Sequence, residues 1–272
     1  IEKRSFDTYQ ANTAAFIGDA VEQLIMTNQS ADIIATVKKQ RPDATELRWD
    51  YGYLHYKRFG MTRKPFDDVR VRRALNMAIN KKEIIEAHYS GEAMMHAYPM
   101  YPDWDGYFDS LDKMPASVKE LYDYNPKKAK ELLKEAGYPN GFTFKMQFCS
   151  CAPDHVELAP LLTAYLEQVG VKVELQPTEY GAFLSAMTTK KHQAGYLMNS
   201  SHTNPTTTIR KSFVSGQTWN PSMYSDAKYD AKMDAVYKAA GDAYTQYLLA
   251  QAQDLRVGVR DLRGGEAHIV GV

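Results

Sequence analysis

The stretch that decides the fold is FTFKMQFCSCAPDHVELAPLLTAYLEQVGVKVEL, residues 142–175. Apolar and polar residues alternate over residues 142–148, which is the period of a half-buried strand. Residues 155–169 carry apolar side chains at helical spacing, and residues 171–175 alternate again. A crossover between parallel strands is right-handed in ~98% of cases, so this βαβ unit predicts two parallel strands in one sheet.

Further helices and strands surround this unit and carry their own start signals. Residues 67–80 have helical period, and Asn80 with Glu83 has the spacing of a capping box for the next helix. Asn125 followed by Pro126 is a cap and first-turn proline. Weaker patterns predict a helix at 180–187, a strand at 194–199 and helices at 226–240 and 242–255. The alternation of helix and strand indicates an α/β fold.

Charge and composition exclude several kinds of partner. The 272 residues include 33 Lys and Arg and 33 Asp and Glu, so no net field attracts nucleic acid, and no nucleic-acid partner is expected. No apolar run approaches the ~20 residues that cross a bilayer. The two cysteines, Cys149 and Cys151, do not decide the compartment, and a disulfide between residues two apart in a strand would be strained.

Two motifs resemble the signature stretches of the family 5 extracellular solute-binding proteins, which serve ABC importers. The first is KPFDDVRVRRAL at 64–75 with AINKKEII at 78–85, and the second is a helix entered by YNP at 124–126 and closed by AGYP at 136–139. Residues 166–175 and 224–230 also resemble the family, in the same order. The resemblance covers roughly residues 13–240.

The resemblance implies a fold of two α/β lobes joined by crossing strands that close on a ligand. Family members extend much further at the amino end, so the first lobe is expected to be mostly absent. We assign residues 1–43 to a remnant of that lobe, residues 44–240 to the second ligand-binding lobe, and residues 241–272 to a carboxy-terminal helix and tail. The expected lobe is of the periplasmic-binding-protein-like type II, with a mixed, partly parallel sheet flanked by helices.

Residues 199–225 lack period and are rich in Ser, Thr, Asn and Pro, which predicts a long loop after a strand end. The resemblance implies that ligand recognition occurs here, through an aromatic and then an acidic residue. Asn199 stands where the tryptophan is expected and His202 near the acidic position. A neutral histidine lacks the charge that pairs with a peptide amino terminus, so a sugar, a blocked peptide or another polar solute is also compatible.

The predicted ligand-binding residues combine this loop with aromatic side chains elsewhere. They are His202, Asn199, Ser201, Asn204, Trp219, Tyr180 and Tyr53. Trp219 stands between polar residues, and Tyr53 lies in a predicted crossing strand, one face of which can look into the cleft.

Metal binding and catalysis are the rival interpretations. Cys149, Cys151 and His155 are of the types that bind zinc, but no fourth ligand is evident apart from Asp154 or Glu157. The spacing is not that of a zinc knuckle, so neither a metal nor another cofactor is expected. No nucleophile elbow, phosphate loop or zinc-protease helix motif occurs, so the chain is not expected to be an enzyme.

The expected function is that of a monomeric substrate-binding component. It would capture a small-molecule or peptide ligand and deliver it to an ABC transporter permease in the membrane. The expected location is periplasmic or extracellular, with a lipid anchor supplied by an upstream segment. The alternatives are a structural or signalling module that binds no solute, and a hydrolase.

Overall fold

The computed structural model describes residues 9–24, 31–46, 54–91, 93–95, 102, 108–192, 196–200 and 205–254. Within these ranges the strands are β1 (Leu54–Arg58), β2 (Thr143–Cys149), β3 (Lys172–Thr178) and β4 (Tyr196–Ser200). They form one sheet in the order β1-β4-β2-β3. β2 pairs in parallel with β3 and β4, whereas β1 pairs antiparallel with β4, so the sheet is mixed as predicted.

The described ranges also contain helices. They are α1 (Tyr9–Ile17), α2 (Ala31–Gln40), α3 (Val69–Met77), α4 (Lys81–Tyr89), α5 (Ala116–Lys119), α6 (Pro126–Glu135), α7 (Pro153–Glu167), α8 (Tyr180–Thr188), α9 (Pro205–Phe213) and α10 (Ala227–Asp254), with a 3-10 turn at Leu111–Lys113. None of these described helices combines the length and apolar character needed to cross a bilayer.

Side-chain caps fix the starts of α3, α4 and α6. The side chains of Asp68, Asn80 and Asn125 each accept a hydrogen bond from a backbone N–H in the first turn of the helix that follows. These N–H groups have no acceptor inside the helix, so the cap satisfies a donor that would otherwise need water. The predicted helix starts at residues 80 and 125 are confirmed.

The βαβ unit forms the centre of the core. β2 and β3 are parallel neighbours from Thr143↔Lys172 onward, which confirms the predicted topology. Phe144, Met146 and Phe148 on one face of β2 are buried in the same cluster as Leu162 of α7. Parts of α3 and α6 belong to that cluster too, so one apolar core joins the two signature helices to the sheet.

α8 packs on the other face of β2. Cys149 is odd-numbered in the strand, and side chains alternate between the faces, so it points away from Phe148. It is 2% exposed and clusters with Phe183 and Met187 of α8. α7 and α8 therefore cover opposite faces of the sheet.

Two predictions on the carboxy-terminal half are wrong. Residues 205–213 of the predicted loop form α9, because Pro205 suits a first helical position and the buried face carries Thr208 and Ser212, whose polarity hid the helical period. The two predicted helices beyond residue 225 are the single helix α10. Gly241 does not break it, since one glycine costs a helix only ~1 kcal/mol relative to alanine.

A strained disulfide is the expectation for two cysteines two apart in one extended strand. Cys149 and Cys151 are joined by a disulfide. The expectation assumed an extended strand through both residues, but β2 ends at Cys149 and the chain turns immediately. The turn brings the two Cα atoms to 5.2 Å, a separation common in disulfides.

Candidate functional site

The sheet brings several strand ends to one edge, which we call the carboxyl edge. Because β3 and β4 both run parallel to β2, all three end there, at Cys149, Thr178 and Ser200. β1 runs the opposite way, and its first residue, Leu54, pairs with Ser200. The ends of β2, β3 and β4 and the start of β1 therefore lie side by side.

The strand order creates a switch point at the carboxyl edge. The chain leaves β2 through α7 to reach β3, then returns through α8 across β2 to β4. These two helices lie on opposite faces, so the connections diverge between β2 and β4. Open α/β sheets bind ligands in the crevice outside such a point. The candidate site is therefore the carboxyl edge between β2 and β4.

The turn between β2 and α7 forms one wall of this site. The backbone N–H and the hydroxyl of Ser150 both donate to the carbonyl oxygen of Thr178, at 3.0 and 3.3 Å, which ties the turn to the end of β3. The Cys149–Cys151 disulfide closes the turn, with Cys149 buried and Cys151 exposed. The sequence-based site residues do not include this turn. The rule that ligands bind at the carboxyl ends of strands beside a switch point would have indicated it, because the rule applies to β2 as well as to β4.

The start of α8 adds a charge and an aromatic ring next to the end of β3. The Glu179 carboxylate accepts from the N–H groups of Gly181 at 2.9 Å and Ala182 at 3.3 Å. These backbone hydrogen bonds stabilise the charged form and lower the pKa of Glu179. Tyr180 follows and is 56% exposed, so its ring is available to a ligand.

Of the residues predicted around β4, Asn199 has its backbone at the carboxyl edge. Asn199 is the penultimate residue of β4, paired with His55 of β1. In the sequence, Ser201 follows Ser200 directly and Tyr53 precedes Leu54. Ser201, His202, Asn204 and Tyr53 lie outside the described residues, as does the side chain of Asn199.

The loop that carries Trp219 is hydrogen-bonded to the segment that follows β1. β1 ends at Arg58 beside Tyr196, the first residue of β4, so the chain leaves β1 in the direction away from the carboxyl edge. In this segment the N–H of Met61 donates to the carbonyl oxygen of Ser222 at 3.0 Å. The loop that carries Trp219, 45% exposed, is therefore tied to a segment that leads away from the candidate site.

The structure offers little for metal chemistry at the β2–α7 turn. Across the part of the chain that is described, no group of three His, Cys, Asp or Glu side chains could hold a metal ion. The disulfide explains this for Cys149 and Cys151, because zinc binds thiolates. His155, in the first turn of α7, is buried at 1% exposure.

Comparison with known proteins identifies the class to which this arrangement belongs. The family model for "Bacterial extracellular solute-binding proteins, family 5 Middle" matches residues 5–221. The chain belongs to this family. The predicted resemblance is thus confirmed, and the family is described by binding rather than by catalysis, as expected for a chain that is not an enzyme.

Curated relatives of this family 5 chain bind different solutes, according to their names. The glutathione-binding protein GsiB of Pectobacterium atrosepticum is 32% identical over 213 residues, which are 74% of this chain and 40% of the relative. The heme-binding protein A of Haemophilus influenzae is 40% identical over 121 residues, 43% of this chain and 21% of the relative.

A solved family 5 structure confirms the fold. It is the periplasmic binding protein DppA of Helicobacter pylori in complex with the peptide STSA, with a TM-score of 0.69 at 22% identity. The match covers 93% of this chain and 48% of that one. The chain thus spans less than half the length of each of these three proteins.

Proposed function

We propose that this family 5 chain contributes the second lobe of the substrate-binding component of an ABC importer. Residues 44–240 form that lobe, and a peptide or another small polar solute is captured between it and a first lobe for delivery to the membrane permease. The observation that supports the proposal is the switch point between β2 and β4, because open α/β sheets bind ligands outside such a point and the backbone of Asn199 lies at that edge.

The proposed mechanism needs no covalent step. Amide, hydroxyl and imidazole groups orient the solute, an exposed tyrosine ring covers it, and lobe closure excludes water and presents a shape that the permease reads. The proposed ligand-binding residues are Asn199, Ser201, His202, Asn204, Tyr180 and Tyr53. We leave Trp219 out of this set because its loop is hydrogen-bonded through Ser222 to the segment that leads away from the carboxyl edge.

The proposed setting is periplasmic or extracellular. The disulfide between Cys149 and Cys151 supports an oxidising compartment, since such bonds rarely persist in the cytosol. We further propose that the protein acts as a monomer held at the membrane by an upstream lipid anchor. The balance of 33 basic and 33 acidic residues gives nucleic acid no electrostatic attraction.

A thermal-shift screen of the complete polypeptide that carries this chain tests the proposal. The panel contains glutathione, a free dipeptide, the same dipeptide with a blocked amine, haem and a disaccharide. A bound solute at 100 times its Kd stabilises the folded state by ~2.7 kcal/mol, so at least one member should raise the Tm and be recovered unchanged. Absence of any shift across these solute classes would indicate a non-binding module, and consumption of the solute would indicate a hydrolase.

A further inference from the structure

We propose that the Cys149–Cys151 disulfide captures thiol-bearing solutes reversibly at the carboxyl edge, through a mixed disulfide on Cys151. This inference rests on the proposed function, because it places the exchange in the same crevice as solute binding. It adds a ligand class, small molecules or peptides with a free thiol, to the polar solutes that the lobe would hold by non-covalent contacts alone.

The position of the disulfide is the first support. β2 is an inner strand, with β4 on one side and β3 on the other, and the disulfide stands directly at its carboxyl end. Asn199 approaches the same edge on β4, and Tyr180 begins α8 two residues after the end of β3. A solute held between β2 and β4 therefore lies beside the turn that carries the disulfide.

The unequal exposure of the two cysteines directs the reaction. Cys149 is 2% exposed and packs with Phe183 and Met187, so its sulfur is shielded from a solute. Cys151 is exposed in the turn. Exchange requires the incoming thiolate to reach the sulfur it attacks, so Cys151 is the electrophile and Cys149 the leaving group.

The exchange is balanced without an added oxidant or reductant. The solute thiolate forms a bond to Sγ of Cys151 while the bond between the two protein sulfurs breaks, and Cys149 leaves with the electron pair as a thiolate. The N–H of Cys151, which donates to Sγ of Cys149 at 3.3 Å, is placed to stabilise that thiolate. In the reverse step, Cys149 attacks Cys151 and releases the solute as a thiolate.

Because Cys149 and Cys151 are only two residues apart, release of the bound thiol is fast and its capture is selective. Ser150 is held to Thr178 by two hydrogen bonds, so the turn keeps Cys149 beside the mixed disulfide. Such proximity gives an intramolecular thiolate a high effective concentration. A thiol without further contacts is therefore expelled, whereas one that also fits the crevice stays long enough to be carried.

Oxidised glutathione tests the direction of the exchange on the complete polypeptide. With Cys149→Ser no internal thiol can release the adduct, so Cys151 should acquire one glutathione, detected by intact mass. With Cys151→Ser the remaining thiol is buried, and adduct formation should be slower by on the order of tenfold or more. Equal rates for the two variants, or a faster reaction at Cys149, would overturn the assignment of Cys151 as the electrophile.

S-methylglutathione separates this proposal from the proposed function, because it keeps the peptide and lacks the thiol. The wild-type protein should bind glutathione more tightly than S-methylglutathione, and acid-quenched samples should contain a glutathione adduct. The double variant Cys149→Ala with Cys151→Ala should bind both peptides equally. If the wild-type protein binds glutathione and S-methylglutathione equally and forms no adduct, covalent capture is refuted but the proposed function stands. If it binds no solute of the panel, both the proposed function and covalent capture are refuted.

Discussion

Lys81 carries a charge that the folded chain partly encloses. Its ammonium donates to the carbonyl oxygens of Asn76 at 2.7 Å and Leu121 at 3.2 Å, and lies 5.7 Å from the centre of the Tyr122 ring. Burial lowers the pKa of Lys81 from 10.5 to about 8, and the nearby charge of Asp123 only partly opposes this. The folded state therefore loses the proton at a lower pH than the unfolded chain.

This shift predicts a pH-dependent stability. Between pH 8 and 10.5 the unfolded chain binds the Lys81 proton more than the folded chain does, so the contribution of Lys81 to the unfolding free energy rises with pH, by at most ~1.4 kcal/mol per unit. Urea titrations across this range should show a steeper rise for the wild type than for Lys81→Met, which lacks the titrating group. If the unfolding free energies of the wild type and Lys81→Met change in parallel with pH, the pKa of Lys81 is the same in the folded and the unfolded state.

Substitutions at His202 test whether this residue contacts the solute as proposed. We expect His202→Ala to weaken solute binding to the complete polypeptide by about 1–3 kcal/mol, because a buried ligand group would lose a hydrogen bond. His202→Asp should shift preference toward a dipeptide with a free amine over the same dipeptide with a blocked one, since a partly buried carboxylate attracts ammonium. Calorimetry with this matched pair measures both effects. An unchanged affinity in the first variant would remove His202 from the site.

The βαβ element was predictable because its core-facing positions are apolar and recur with the period of a strand or a helix. β2 presents Phe144, Met146 and Phe148 to the core and alternates them with Thr143, Lys145 and Gln147, so its period is visible in the sequence. α9 was not predictable in the same way, because its buried positions are Thr208 and Ser212. Burial is then decided by the surrounding structure rather than by the polarity of the residue.

α7 provides a matched pair of leucines that tests the described core. Leu162 is 4% exposed in the main cluster, whereas its neighbour Leu161 is 39% exposed. Leu162→Ala should lower the unfolding free energy by about 2–5 kcal/mol through lost apolar contact and a cavity, and Leu161→Ala should cost clearly less. Urea midpoints at constant m-value measure the difference. Similar losses from both variants would mean that α7 does not present this face to the sheet.

The candidate site emerges only at the scale of the whole sheet. The segment around Asn199 was predictable from the resemblance, but the β2–α7 turn was not recognised as its neighbour. That neighbourhood depends on strand order, which joins Gln147 to Tyr196 across a long separation in the chain. The loop of Trp219 is hydrogen-bonded through Ser222 to Met61, in the segment after β1, although Trp219 lies only 20 positions beyond Asn199 in the sequence.

Asn199 and Trp219 allow a direct test of the central claim that the solute binds at the carboxyl edge. Calorimetry would compare Asn199→Ala with Trp219→Ala in the complete polypeptide, using the panel solute that gives the largest thermal shift. Asn199→Ala should weaken binding by about 1–3 kcal/mol, or roughly 5- to 150-fold in Kd, and Trp219→Ala should leave Kd within about twofold. Loss of affinity in Trp219→Ala with none in Asn199→Ala would place the solute away from the carboxyl edge and contradict the account.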